Sequence, residues 1–140
     1  MIKLFLLLIV ATGLSMAEQT CPWLNVATAS GVLESPATLK ATKSSCEFTA
    51  KTGRLEIEVL VTAGASERFS KLKAQCKAGA QALPAIGNEA AMCASRAAQE
   101  VVGRVRDQLF IIRLKMNGVK PEALADKGRV LAEQVSGILF

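Results

Sequence analysis

Ser70 and Lys73 form the serine–lysine pair whose spacing best suits nucleophilic catalysis. They belong to the segment Ser70-Lys71-Leu72-Lys73, and residues three apart on a helix lie next to each other on one face. A lysine amine in that position can accept the serine hydroxyl proton and so activate the serine as a nucleophile. The pair supports the hypothesis of a small hydrolase.

Lys51-Thr52-Gly53 adds a second motif of the same kind. S-x-x-K and K-T-G both occur in serine β-lactamases and penicillin-binding proteins. In this chain, however, K-T-G precedes S-x-x-K, the S-D-N element is missing, and the 123 residues that follow the first 17 are too few for such a fold. We therefore interpret Thr52-Gly53 as a hairpin turn, and the hydrolase remains an alternative.

Glu56 and Glu58 could supply a different catalytic pair. They are two residues apart in an alternating segment, so both lie on one face of a predicted strand. Paired carboxylates can act as a general acid and base or bind a metal. Arg54 beside them favours the simpler interpretation, a solvated strand face whose charges are balanced.

Residues that could bind a ligand rather than transform it occur in two places. The candidates are the loop Gly87-Asn88-Glu89 and a basic surface formed by Arg104, Arg106 and Arg113. Loops often carry binding residues, although this loop is also typical of a plain turn. The arginines could meet an anionic envelope polymer.

The composition excludes several classes of site. The chain has no histidine, so histidine-based catalysis and histidine metal ligands are impossible. Glycine-rich phosphate loops and zinc or calcium signatures are also missing, and we expect no metal and no cofactor. The net charge is only +5 and six residues are aromatic, which argues against a nucleic-acid partner because stacking on bases needs exposed aromatic side chains.

The first 17 residues predict a secretory signal peptide. Lys3 precedes an apolar run from Leu4 to Ala11, and Ser15-Met16-Ala17 has the small-x-small pattern of a cleavage site. We expect cleavage after Ala17, a single domain over residues 18–140, and a periplasmic or extracellular location. Membrane contact is expected only through an uncleaved signal segment. Loss of Lys3 lowers the net charge to +4.

Four cysteines in an exported chain indicate structural disulfides. Cys21, Cys46, Cys76 and Cys93 all follow the cleavage site, and four cysteines allow three pairings. The simplest joins Cys21 to Cys46 and Cys76 to Cys93, because each bridge then closes a short loop within its own half of the chain.

Hydrophobic periodicity predicts an α+β domain. We expect an antiparallel sheet of about five to six strands, packed by two long helices and a short N-terminal helix. The helices are predicted over 22–33, from an N-cap at Ser66 to Pro84, and over 121–139; the strands over 37–42, 46–51, 54–63, 90–94, 100–106 and 109–116. The inward stripe of the last helix is predicted as Leu124, Gly128, Leu131, Val135 and Ile138.

Four segments carry a resemblance to a known group of proteins. They are Cys21-Pro22-Trp23-Leu24, Ser45-Cys46-Glu47-Phe48, residues 83–90 and residues 102–107. Together they resemble a small exported bacterial α+β family of unknown function, similar to uncharacterised domains of bacterial envelope lipoproteins. The resemblance implies a Cys21–Cys46 bridge and a curved antiparallel sheet packed by helices. Cys21 follows Glu18-Gln19-Thr20 and so lacks the small, apolar context of a lipid-attachment site.

These observations favour a non-enzymatic extracytoplasmic binding or interaction domain whose partner is a protein or an envelope component. Two alternatives stay open. One is a small hydrolase using Ser70 with Lys73, or Glu56 with Glu58. The other is a structural envelope protein that binds an anionic polymer through its arginines and lysines.

Overall fold

The structure is a computed structural model that describes residues 19–95 and 98–140. The signal segment over residues 1–17 and its expected cleavage after Ala17 lie outside the described residues. Within the described ranges, no helix is both long enough and apolar enough to cross a membrane.

Over these described ranges the fold is α+β, with three helices and one antiparallel sheet of seven strands. In chain order the elements are α1 Val26–Leu33, β1 Thr38–Ala41, β2 Ser45–Ala50, β3 Gly53–Val61, α2 Ala65–Ala74, β4 Gln81–Ala82, β5 Glu89–Ser95, β6 Ala98–Val105, β7 Gln108–Met116 and α3 Pro121–Leu139.

The sheet has the strand order β1-β2-β3-β7-β6-β5-β4, and neighbouring strands are antiparallel throughout. β3 and β7 are the longest strands and pair in the middle, where Ile57 lies opposite Ile112. The N-terminal group β1–β3 therefore joins the C-terminal group β4–β7 along this central pair.

One face of the sheet forms the main core. Side chains alternate between the two faces of a strand, so Leu55 and Ile57 of β3 lie on the same face and are fully buried. α3 covers this face at β5, β6 and β7, and α1 covers it at β2 and β3. Leu131 and Val135 of α3 are also fully buried. Burial of such a side chain contributes about 1.5–3 kcal/mol, so this face supplies most of the hydrophobic stabilisation.

The opposite face of the sheet is covered only in part. α2 packs on β6 and β7 and buries a smaller apolar cluster that contains Ala65, Phe69, Ala91, Val102 and Leu109. The remainder of this face carries polar and charged side chains.

The second helix differs most from the prediction. α2 ends at Ala74 instead of continuing to Pro84, and β4 lies inside the predicted helix. Ser66 is also not the N-cap: Gly64 holds that position and makes no side-chain capping hydrogen bond. The apolar residues Cys76, Ala80 and Leu83 continued the helical spacing, but the chain turns away at Cys76 because that residue is bonded to Cys93. The described residues therefore contain one long helix, α3, and seven strands, instead of the two long helices and five to six strands that were predicted.

α3 has the predicted bounds, Pro121–Leu139, with a correction at its last turn. Leu124, Gly128, Leu131 and Val135 are buried as expected, but Ile138 is 55% exposed and Leu139 is buried in its place. Ala132 and Ser136 are also buried, so the buried face of α3 is wider on their side of the helix, and at 3.6 residues per turn that side includes position 139 and not position 138.

Two disulfides join Cys21 to Cys46 and Cys76 to Cys93, the simplest of the three pairings. Cys21–Cys46 fixes the segment before α1 to β2, and Cys76–Cys93 fixes the end of α2 to β5. Disulfides of this kind are typical of proteins from oxidising compartments.

Candidate functional site

A row of five charged side chains crosses the uncovered part of the sheet. Lys40, Glu47, Glu56, Arg113 and Glu100 lie directly opposite one another on successive strands, from β1 through β2, β3 and β7 to β6. We call these five residues the charged row. Residues directly opposite in antiparallel strands have Cβ atoms about 4.5–5.5 Å apart, so the register alone brings these charges together.

Arg113 is the centre of the charged row. Its Nε donates to Glu100 Oε2 at 3.1 Å, and its Nη1 lies 3.7 Å from Glu56 Oε2 and 3.6 Å from Glu58 Oε2. The Arg113 side chain is 45% exposed. One guanidinium on β7 is thus shared by three carboxylates on the two flanking strands, Glu56 and Glu58 on β3 and Glu100 on β6.

Arg54 extends this network along β3. Its guanidinium lies 3.0 Å from Glu56 and 3.8 Å from Glu47, and Lys115 is directly opposite Arg54 on β7. Half-exposed ion pairs contribute about 0–1 kcal/mol each. Their main consequence is therefore positional, because each charged side chain is held by its neighbours.

Beside Arg113 the sheet surface is concave. A depression of about 310 Å³ is lined by Ser44 and Ser45, by Glu47, Glu56 and Glu58, and by Arg113. Glu56 and Glu58, the predicted acid–base pair, are brought together here, and both are paired with Arg113. Within the described residues no group of three or more acidic, cysteine or histidine side chains is arranged to hold a metal ion.

The predicted ligand loop Gly87-Asn88-Glu89 contacts the β6–β7 turn. Asn88 Oδ1 accepts a hydrogen bond of 2.6 Å from the Arg106 backbone N–H, and the Asn88 N–H donates to the Arg104 carbonyl at 2.8 Å. Gly87 has a φ of 59°, and a Cβ there would lie 2.6 Å from the Arg104 oxygen. The polar groups of this loop therefore serve to fasten the turn.

The three arginines of the predicted basic surface lie in different surroundings. Arg104 is 3.4 Å from Glu89 and donates to the Arg106 carbonyl at 2.9 Å. Arg106 is exposed in the turn between β6 and β7. Arg113 lies opposite Glu100, which is four residues, or about 13 Å, from Arg104 along β6. Arg104 and Arg113 are each paired with carboxylates.

Ser70 and Lys73, the predicted serine–lysine pair, line the same shallow trough of about 640 Å³ beside α2, together with Phe69 and Glu89. Ser70 Oγ donates a hydrogen bond of 3.2 Å to the Ser66 carbonyl, one turn earlier in α2. In this arrangement the serine proton is directed to the helix backbone.

Sequence reasoning missed Lys40, Glu47 and Glu100 as members of a surface site. Each is a polar residue in a strand where polar and apolar residues alternate. This alternation is visible in the sequence and shows which face of the sheet a residue lies on, but it does not show which strands are neighbours. The charged row needs both the strand order and the register.

Comparisons with known proteins add little. No protein-family model matches the chain, and no curated protein matches it. Among solved structures, a GTP binding regulator from Thermotoga maritima is similar over 82% of this chain and 92% of that chain, with 18% identity and a TM-score of 0.47. A likeness at this level carries no conclusion about what this chain binds or does.

Proposed function

We propose that this protein is an exported, non-enzymatic binding domain that recognises a protein or another envelope component through the uncovered part of its sheet. We define this surface, the open face, as the charged row together with Thr38, Thr49, Arg54 and Lys115, which form the adjacent row on the same strands.

The observation that carries the proposal is the unequal coverage of the two faces of the sheet. α1 and α3 cover the main core, whereas α2, with ten residues, reaches only β6 and β7 on the other face. Within the described residues, the open face therefore has no covering helix over β1, β2 and β3, and α2 borders it at β6 and β7. Antiparallel sheets tolerate a solvated face, so exposure alone is not sufficient.

The ion pairs provide the second part of the argument. Arg54 and Arg113 pair with three glutamates of the open face and with Glu58 beside it. Charged groups that are already paired lose less conformational entropy when a partner binds, and their pattern of charges selects a partner of complementary pattern.

Export rests on separate observations. The predicted signal peptide directs the chain out of the cytoplasm, and the two disulfides favour an oxidising compartment. We infer a periplasmic or extracellular location on these grounds.

A charge reversal on the open face tests the proposal. Immobilised wild-type protein, Lys115→Glu and Lys120→Glu are used to capture partners from envelope extract. Lys115 lies on the open face, whereas Lys120 lies at the N-cap of α3 and serves as the matched control with the same change in charge. We expect a partner that binds wild type and Lys120→Glu but is lost with Lys115→Glu.

Two results would contradict the proposal: a partner that binds all three proteins equally, and no captured partner across extracts. Capture that collapses in every protein as salt rises from about 0.1 M to about 1 M, without dependence on Lys115, would instead favour the anionic-polymer alternative.

A further inference from the structure

A third concave site, next to the trough that Ser70 and Lys73 line, lies between the end of α2 and strands β5 and β6. It has a volume of about 240 Å³. We call it the α2 cleft and define it by six of its lining residues: Leu72, Lys73, Cys76, Ala91, Glu100 and Val102.

The floor of the α2 cleft is apolar and buried. Ala91 and Val102 are each only 4% exposed and belong to the smaller apolar cluster under α2, and Leu72 packs against that cluster. The Cys76–Cys93 bridge forms one wall and joins the end of α2 to β5. The bridge therefore ties this wall covalently to the floor.

The charged side chains around the cleft differ in whether they form ion pairs. Glu100 is paired with Arg113 at 3.1 Å, and Glu89 on the other side of α2 is paired with Arg104 at 3.4 Å. Lys73 takes part in none of the ion pairs formed within the described residues. Lys73 is therefore a lining cation of the cleft without an ion-pair partner among the described residues, whereas the Glu100 carboxylate that also lines the cleft is paired with Arg113.

We infer that the α2 cleft binds a small organic monocarboxylate with a short apolar body. The carboxylate would accept a charge-assisted hydrogen bond from Lys73 Nζ, and the apolar body would lie on Leu72, Ala91 and Val102. The cleft volume of about 240 Å³ restricts the ligand to a small molecule. We use hexanoate as the probe because it joins one carboxylate to a short apolar body.

The test is a titration of the purified, disulfide-bonded protein with hexanoate, followed by nuclear magnetic resonance of its amide groups. Hexylamine has the same apolar body with a cationic head and is titrated in parallel. We expect hexanoate to shift the amides of Leu72, Ala91 and Val102 in a saturable manner, and hexylamine to leave them unchanged.

A matched pair of variants separates the role of Lys73 from general charge. Lys73→Met removes the ammonium but keeps a side chain of similar length, and Lys71→Met makes the same change on α2 at a residue that does not line the cleft. Loss of one charge-assisted hydrogen bond should weaken hexanoate binding about 10- to 100-fold in Lys73→Met, whereas Lys71→Met should bind as wild type does.

Three results would overturn the inference: no saturable shift, equal binding of hexylamine, or equal weakening in the two variants. The titration contains no protein partner, so its failure leaves the proposal for the open face intact. Conversely, loss of partner capture with Lys115→Glu does not bear on hexanoate binding.

Discussion

Arg113 and Glu100 lie directly opposite each other on β7 and β6, and the Arg113 Nε donates to Glu100 Oε2 at 3.1 Å. Arg113 also lies opposite Glu56, which belongs to the N-terminal group of strands. One side chain therefore links the two groups of strands on the open face, as Ile57 and Ile112 do in the main core.

Replacing Arg113 tests this link. In Arg113→Met, Glu56, Glu58 and Glu100 lose their shared partner and repel each other, so we expect the free energy of unfolding to fall by about 1 kcal/mol at low salt. Because salt screens repulsion between exposed charges, the loss should shrink near about 1 M salt. Urea unfolding of Arg113→Met and wild type, at low salt and at about 1 M salt, measures this loss of free energy.

Arg129→Met is the control for Arg113→Met. Arg129 pairs with Asp126 and Glu133 on one exposed helix, where each such pair contributes about 0.3–0.5 kcal/mol. The two Arg129 pairs together should therefore contribute about 0.6–1 kcal/mol, so Arg129→Met shows that the measurement detects ion pairs of this size. If Arg113→Met loses much less free energy than Arg129→Met, or if salt does not change the effect at Arg113, the network is not the stabilising feature that we describe.

Gly103 and Gly137 should respond in opposite directions to the same substitution. A Cβ at Gly103 would fall within the ring of Phe110 on the opposite strand, so Gly103→Ala should lower the free energy of unfolding by about 1–3 kcal/mol through overpacking. Gly137 is exposed in α3 and has open space around its Cβ position. There, alanine should raise stability by about 0.5–1 kcal/mol because it favours the helix. Thermal unfolding of Gly103→Ala, Gly137→Ala and wild type measures these changes in stability. A Gly103→Ala variant as stable as wild type would contradict the packing described for Phe110.

The Cys76–Cys93 bridge should hold α2 on the sheet. Replacing both cysteines with serine opens a loop of 17 residues and should lower the free energy of unfolding by about 3 kcal/mol. Hydrogen exchange should quicken in α2 in particular. The double serine variant of Cys21 and Cys46 is the comparison, because it should lose similar stability while leaving α2 protected. Unchanged α2 exchange in the first variant would contradict this role.

We expect Asn88 to stabilise the fold by binding the β6–β7 turn. Asn88→Ala removes the acceptor for the Arg106 N–H and should lower the free energy of unfolding by about 1–2 kcal/mol. Asn88→Asp keeps an acceptor oxygen and should retain most of that stability. If thermal unfolding shows that both variants match wild type, the loop does not fasten the β6–β7 turn, and its residues become available for a ligand.

Local patterns predicted the elements whose environment is simple. β3 alternates because one of its faces is buried, and α3 keeps one apolar stripe along 19 residues. The predicted α2 was longer than the observed helix because Cys76, Ala80 and Leu83 continue its helical spacing. In the structure, Cys76 is bonded to Cys93 and the next residues lead into the two-residue strand β4. Periodicity describes the local chain and does not contain these long-range constraints.

The candidate site was harder to predict than the fold. Glu56, Glu58 and Arg113 were singled out for separate reasons, as an acid–base pair and as part of a basic surface, yet they contact each other. Their contact depends on β7 lying between β3 and β6. Nothing in the spacing of residues 56 and 113 indicates that neighbourhood.

Photo-crosslinking in cells that export the protein would test the binding function of the open face most directly. A benzophenone side chain is placed at Thr49, an exposed residue of the open face, or at Val130, an exposed residue of α3 on the other side of the sheet. We predict a crosslinked adduct of defined mass from Thr49 and none of that mass from Val130. No adduct at Thr49, or the same adduct from both positions, would contradict the proposal that the open face is the binding surface.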